Sequence, residues 1–249
     1  MEMAIPKKWP KVVPELSDEQ KRISDDFVGY WLEVFSKRYG WTAAFGHKYV
    51  ARHVPESFLR TLEIGAGLGE HLTYETLSLD QRREYVALDV RQNVADRFKE
   101  RFPDIQVCVG DCQKRLDFPN DHFDRILAIH VLEHLPNLPA AIVEMHRLCD
   151  KHCGVFSVVI PCEGSAAYVL ARRLSAQRIF EKRYKQSYGW FIEMEHLNRP
   201  TEIMTELQRW FRVENRSFFP LPVPFAVCNL CIGLTLRPIS RHGSWSKNS

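Results

Sequence analysis

Residues 61–72 read TLEIGAGLGEHL, with three glycines in five positions after an apolar run that contains one acid. The run predicts a buried strand, and the glycines predict a tight turn at its carboxyl end, where bare backbone lets a ligand approach closely. The spacing is G-x-G-x-G, whereas turns that bind dinucleotides show G-x-G-x-x-G. Glu63 stands two residues before the first glycine, where its carboxylate repels phosphate and attracts a cationic amine. The stretch therefore predicts a ligand site at the edge of a sheet.

Strand and helix patterns alternate outward from this turn. Five apolar runs predict strands at residues 59–64, 84–89, 105–109, 123–129 and 154–160, with helical patterns between them, the first beginning near Leu68. Two more strands, about 212–219 and 226–236, are joined by a short proline loop, so the last should be antiparallel to its neighbours. We predict an α/β fold with a doubly wound, seven-stranded, mostly parallel sheet of the Rossmann-like type.

Three segments lie outside this alternation. Residues 1–54 carry aromatic-rich helical patterns and are predicted to form an N-terminal helical cap. Residues 55–238 form the main domain, and within it the basic, aromatic segment 163–195 is predicted to be a lid insertion. Residues 239–249 are predicted to be a disordered tail.

Composition excludes several classes of protein. The chain of 249 residues has 34 basic and 31 acidic side chains, a balance too even for a dedicated nucleic-acid binder. The apolar stretch 218–236 contains three prolines, which argues against a membrane-spanning helix. Seven cysteines without a secretory pattern predict reduced thiols in a cytoplasmic protein. His146, Cys149, His152 and Cys153 straddle a predicted helix end without a second paired motif, so we predict no metal site.

Carboxylates follow the second and third strands. Asp89 lies twenty residues after Gly69, where a carboxylate can accept hydrogen bonds from both hydroxyls of a ribose. Such a ribose could belong to NAD or to S-adenosylmethionine (SAM), and Asp89 could also cap the helix predicted at 91–101. Asp111 follows the third strand, where it can accept a hydrogen bond from an adenine amino group. The spacing of the glycines and Asp111 speak against NAD.

The motifs LEIGAGLGE, ALDV, VGDCQKRLDFPNDHFD and AIHVLEHL resemble, in order and spacing, those of class I SAM-dependent methyltransferases. The resemblance covers residues 59–160 and continues more faintly from EHLNRPTEIMTEL. It implies SAM as cofactor and implies a role for each matching residue. The methionine end of SAM would contact Glu63, Gly65, Gly67 and Gly69; Asp89 would hold the ribose, Asp111 and the Cys112 backbone the adenine, and His130 the methyl-transfer face.

Methyl transfer requires the nucleophile, the methyl group and the sulfur to be collinear, and an O or N acceptor also has to lose a proton. Candidate bases are His130, Glu133, His134 and His196. An equal alternative for His130 is a structural role beside the cofactor, and the alternative for Glu133 and His134 is to orient their loop. The metal-assisted catechol type of the family requires acids where this chain has His130 and Pro161-Cys162, so we predict a metal-independent reaction.

The insertion has two interpretations. Residues 172–185 contain six basic side chains and one acid, interleaved with aromatic residues. They predict either a solvated helix face over buried aromatics or a lid that favours an anionic or aromatic acceptor. We predict methyl transfer to O or N of a small or carrier-linked metabolite. An RNA or protein methyltransferase, or a non-catalytic SAM-binding partner subunit, remains an alternative, and the sequence does not indicate an oligomeric state.

Overall fold

A seven-stranded sheet runs through the protein, with β1 (Thr61–Ile64), β2 (Tyr85–Asp89), β3 (Gln106–Val109), β4 (Arg125–Ile129), β5 (Val155–Pro161), β6 (Phe211–Phe219) and β7 (Cys231–Pro238). The spatial order is β3-β2-β1-β4-β5-β7-β6. The first five strands pair in parallel, and β7 is antiparallel to both β5 and β6. The predicted fold class is confirmed, including the antiparallel last strand.

The structure is a computed structural model and describes residues 8–38 and 40–240. From residue 241 onward, the predicted disordered tail lies outside the described residues. The helices are α1 (Asp18–Arg38), α2 (Gly40–Arg52), α3 (Leu79–Arg83), α4 (Gln92–Arg101), α5 (Leu138–Leu148), α6 (Ala166–Leu174), α7 (Ala176–Tyr184), α8 (Gly189–Glu195) and α9 (Pro200–Gln208).

Helices cover both faces of the sheet, which explains why β1, β2 and β5 are buried along their whole length. On one face, Ile142 of α5 and Leu207 of α9 belong to the same apolar core as the strands. On the other face, Phe98 of α4 packs beneath β2, and Val50 of α2 packs against β4 and β5. The chain therefore leaves mainly the ends of the parallel strands for ligands.

The predicted helix starting near Leu68 is wrong. The chain makes only a 3-10 turn there, His71–Thr73, and the next helix begins at Leu79. Side chains compete with helical hydrogen bonding in this segment, because the Glu70 carboxylate accepts from the Leu68 N–H and the Thr73 hydroxyl donates to the Glu70 carbonyl. A capping box at Ser78 then sets the start of α3.

The insertion packs against the N-terminal cap. Phe27 of α1 lies in a second small core with Phe180 of α7, Tyr188, and Phe191 of α8. Its ring contacts Phe180 edge-on at a centroid distance of 5.0 Å. The basic side chains Arg173, Arg178, Lys182, Arg183 and Lys185 are exposed on the outer side. This arrangement agrees with the first interpretation of the insertion, a solvated face over buried aromatics.

Candidate active site

The carboxyl ends of four adjacent strands bring the predicted donor-site residues to one edge of the sheet. Gly67 follows β1, Asp89 ends β2, and its backbone carbonyl accepts a hydrogen bond from Gly110 after β3 at 3.0 Å. His130 follows β4, the other neighbour of β1. The site therefore lies where the strand order reverses, between β1 and β4, as ligand sites do in open parallel sheets.

The three positions of the loop are glycines for different physical reasons. A Cβ atom at Gly65 would lie 2.5 Å from Val131, and one at Gly69 would lie 2.4 Å from the Phe102 ring, so both are required by internal packing. Gly67 has φ +56°, and the nearest atom to its Cβ position is a Glu70 carboxylate oxygen at 3.5 Å. Gly67 is therefore the position where bare backbone faces open space.

Asp89 connects the second strand to the glycine loop. It is 6% exposed, and its two oxygens accept hydrogen bonds from the Gly67 N–H at 3.3 Å and the Arg91 N–H at 3.0 Å. The N-cap residue of helix α4 is Arg91, and Asp89 contacts the start of the helix through the N–H and side chain of this residue. The Arg91 Nε also donates to Asp89 at 3.3 Å, so about one of the four acceptor sites of the carboxylate stays open to a ligand hydroxyl.

Glu63 already has a protein partner. It is 3% exposed and accepts a hydrogen bond from the Tyr85 hydroxyl at 2.7 Å. Burial raises the pKa of the Glu63 carboxyl, against the opposing effects of His71 and of the Tyr85 hydrogen bond. Its predicted contact with the methionine end of SAM remains a prediction, whereas its support of the sheet beneath the loop is visible.

A buried ion pair lies on the same face of the sheet. Arg125 is fully buried in β4, and its guanidinium donates to both oxygens of Glu75 at 2.7 and 2.9 Å. His71 Nε2 lies 2.9 Å from the same carboxylate. This group was not predicted from the sequence. Its signal was an arginine inside the apolar run of the fourth strand, which demands a buried acid.

Asp111 and Cys112 lie after β3 as predicted. One Asp111 oxygen accepts from the Gln113 N–H at 3.0 Å and from its side-chain amide at 2.9 Å. Cys112 is 7% exposed, and burial raises the pKa of its thiol to about 12. The thiol is therefore protonated at neutral pH, and the backbone is the part of Cys112 that is suited to bind an adenine ring.

His130 occupies a strained backbone position at the end of β4, with φ +55°. Its Nδ1 lies 3.3 Å from Glu133, which is 1% exposed. Burial works against the charged imidazole, but the side chains of Cys231 and Glu133 outweigh it and raise the pKa of His130 to about 10. The pKa of Glu133 is lowered in turn, against burial, by His130 and by the neighbouring His134 and His196. These two residues therefore form an ion pair at neutral pH.

The other two candidate histidines lie together beside this pair. The rings of His134 and His196 meet edge-on at 5.1 Å. His134 Nδ1 contacts the Glu195 carbonyl at 2.5 Å, and His196 Nδ1 contacts the Glu163 carboxylate at 2.8 Å. Sequence analysis missed Glu163, although its place just after β5, at a strand's carboxyl end, was a usable signal.

Within residues 8–38 and 40–240, no group of three or more His, Cys, Asp or Glu side chains is arranged to hold a metal ion. No helix in the same part of the chain is long and apolar enough to cross a membrane.

One family model matches part of the chain. Residues 62–156 match the family model described as "Methyltransferase domain". No curated protein matches the chain by sequence.

Solved structures share the fold at low identity. A SAM-dependent methyltransferase from Thermotoga maritima, titled a possible histamine N-methyltransferase, is 16% identical with TM-score 0.57 over 87% of this chain and 98% of its own. The [4+2]-cyclase SpnF is 13% identical with TM-score 0.62 over 92% and 100%. N-methyltransferase NodS from Bradyrhizobium japonicum, solved with S-adenosyl-L-homocysteine, is 16% identical with TM-score 0.51 over 90% and 94%. A cyclase with this fold means that the fold alone does not set the reaction.

Proposed function

We propose that the chain carries a class I SAM-dependent methyltransferase domain with SAM as its cofactor, and that it methylates O or N of a small molecule. One observation carries the proposal. The donor cradle of Gly67 and Asp89 lies at the same sheet edge as His130, beside a histidine–carboxylate pair made by His196 and Glu163.

The glycine loop and Asp89 leave room for SAM. The open space at Gly67 would be filled by a Cβ atom, and Asp89 is held in place by the Gly67 N–H while keeping about one acceptor site open. Asp89 would hold the ribose, and Asp111 with the Cys112 backbone would hold the adenine. When bound, SAM supplies a methyl group on a sulfonium, and no proton is needed on the leaving thioether.

His196 is the general base in this proposal. Glu163 accepts its Nδ1–H, which leaves the lone pair of the neutral ring on Nε2. Nε2 has no hydrogen-bond partner among the described residues. A base placed in this way can remove the proton of an acceptor hydroxyl or ammonium, and such a base is worth about 10²–10⁴-fold in rate.

His130 takes a different role from the base expected first. Its raised pKa favours the protonated ring at neutral pH, so we assign the base to His196 rather than to His130. It would donate a hydrogen bond to the acceptor or orient it, while Glu133 holds the ring. His134, tied to the Glu195 carbonyl, would shape the wall between His130 and His196.

The charges near these histidines bear on the acceptor class. Glu133, Glu163 and Glu195 stand beside them, whereas most basic side chains of the insertion face solvent. Arg172 is the inward exception and lies 3.8 Å from Glu163. This distribution supports an uncharged or basic acceptor over the anionic acceptor that a basic lid would favour. The N-methyltransferase titles of two structural neighbours are compatible with it.

The test is methyl-labelled SAM incubated with the protein and a cell extract, then separated into small-molecule, lipid, RNA and protein fractions. We expect label in the small-molecule fraction. His196→Gln and Glu163→Gln should lower its appearance at least about tenfold without changing SAM affinity, and His152→Gln, an exposed histidine, is the matched control. Label in RNA or protein would contradict the proposal. SAM binding without label in any fraction would favour a non-catalytic partner subunit.

A further inference from the structure

Helix α6 carries an apolar stripe on its solvent side. Leu170 and Leu174 are one turn apart and are 60% and 65% exposed, and Ala166, one turn earlier, is exposed as well. On a water-soluble helix the apolar stripe normally faces the core. Here Arg172 takes the inward direction instead, with only 22% of its side chain exposed.

A second apolar surface adjoins α6. Residues 220–228, between β6 and β7, are all exposed and present four large apolar side chains: Leu221, Val223, Phe225 and Val227. Part of this loop, the 3-10 turn Ala226–Cys228, packs against α6. The two surfaces are therefore adjacent, and together we call them the apolar patch: Leu170, Leu174, Leu221, Val223, Phe225 and Val227.

Asn229 holds the loop of the apolar patch in place. It is fully buried, its side-chain oxygen accepts from the Leu221 N–H at 2.8 Å, and its amide donates to the carbonyls of Val223 and Phe225. The Ser165 hydroxyl, at the start of α6, donates to the Asn229 carbonyl at 3.0 Å. The apolar side chains are thus displayed by a pinned scaffold, and little ordering entropy remains to oppose their burial by a partner.

The two chain segments that carry the apolar patch lack acidic side chains. Residues 164–180 and 215–240 contain no Asp or Glu. Arg173 on α6 and Arg178 and Lys182 on α7 are exposed close to the patch along the chain. Apolar side chains bordered by basic ones match the boundary between acyl chains and anionic headgroups. A protein partner would need its own apolar face, and nothing in this charge pattern requires one.

We propose that the apolar patch, with its basic border, docks the protein peripherally on an anionic lipid bilayer. The patch lies at the carboxyl edge of the sheet, and α6 carries Tyr168 and Arg172 on its inner side toward Glu163. Docking would therefore place the acceptor side of the site next to the membrane. The proposal does not depend on methyl transfer, because it concerns the outer surface of α6 and the loop 220–228.

The test is flotation of the purified full chain with vesicles of phosphatidylcholine alone or mixed equally with phosphatidylglycerol. We expect binding to the mixed vesicles and weaker binding at high salt. Leu170→Ser with Phe225→Ser should reduce binding at least about tenfold, since each buried apolar side chain contributes on that scale. Leu79→Ser, 73% exposed on α3, is the matched control and should bind like the unchanged protein.

A second pair of variants tests the basic side chains that border the apolar patch. Arg173→Gln and Lys182→Gln should each weaken binding to the mixed vesicles roughly fivefold and leave SAM affinity unchanged. No binding to either vesicle, or equal binding by the Leu170/Phe225 variant, would overturn the proposal. So would light scattering that shows a dimer abolished by Phe225→Ser in a protein that ignores vesicles, because the patch would then join two copies of this chain.

Discussion

Replacing Gly69 and Gly67 by alanine should separate packing from ligand binding within one loop. At Gly69 (φ +77°) a Cβ atom would lie 2.4 Å from the Phe102 ring and 2.9 Å from Phe98. The left-handed backbone costs an alanine about 1–2 kcal/mol, and overpacking costs about 1–3 kcal/mol more. We therefore expect Gly69→Ala to lower the free energy of unfolding by roughly 2–5 kcal/mol, a large part of the stability of an ordinary domain.

Gly67→Ala should behave differently, because its Cβ meets nothing closer than 3.5 Å. Only the backbone cost of about 1–2 kcal/mol applies to unfolding. The new methyl group would occupy the open space assigned to SAM, so we expect affinity for SAM to fall at least about tenfold.

Urea unfolding and titration calorimetry with SAM measure the two effects. Phe102→Leu, added to Gly69→Ala, should recover part of the lost stability by removing the clash, and it serves as the internal control. Two outcomes would contradict this separation of packing from ligand binding. One is a Gly67→Ala protein that unfolds as readily as Gly69→Ala, and the other is a Gly69→Ala protein as stable as the unchanged chain.

Three further predictions follow from the site and the buried layer beneath it. Asp89→Asn should raise the SAM Kd at least about tenfold in calorimetry, and an unchanged Kd would remove Asp89 from the ribose role. The pKa of His130 is raised from 6.5 to about 10, so its charge contributes stability that is complete below pH 6.5 and lost as pH rises through 10. The free energy of unfolding of His130→Gln in urea should therefore differ most from that of the unchanged protein between pH 4.5 and 6.5, the ordinary pKa values of Glu133 and His130, and least above pH 10. A difference that does not depend on pH would contradict the ion pair with Glu133. Glu75→Gln leaves the fully buried Arg125 without a charged partner and should cost about 3–5 kcal/mol in urea unfolding, whereas a loss below about 1 kcal/mol would mean that water reaches the guanidinium.

Local patterns were enough to predict the sheet and its donor edge. Alternating apolar runs and helical periods predicted all seven strands and the antiparallel last one, because parallel strands buried on both faces are apolar throughout. Glycines and acids at strand ends placed Gly67, Asp89, Asp111 and His130 at one edge, since the carboxyl ends of parallel strands coincide. The prediction of a helix near Leu68 was wrong because side-chain hydrogen bonds of Glu70 and Thr73 compete with the helical hydrogen bonds. The spacing of apolar residues gives no information about such side-chain hydrogen bonds.

By itself, then, the sequence determined the fold class, the glycine loop and the series of motifs at the strand ends. All of these depend on residues that are close together along the chain. Only the tertiary structure decided how these residues act. It paired Glu63 with Tyr85 and His196 with Glu163, and gave Gly65 and Gly69 their packing partners. It also set the Leu170 stripe beside the loop 220–228. Such contacts join residues far apart in the chain, and burial and charge, which shift a pKa or expose an apolar face, exist only once those residues meet.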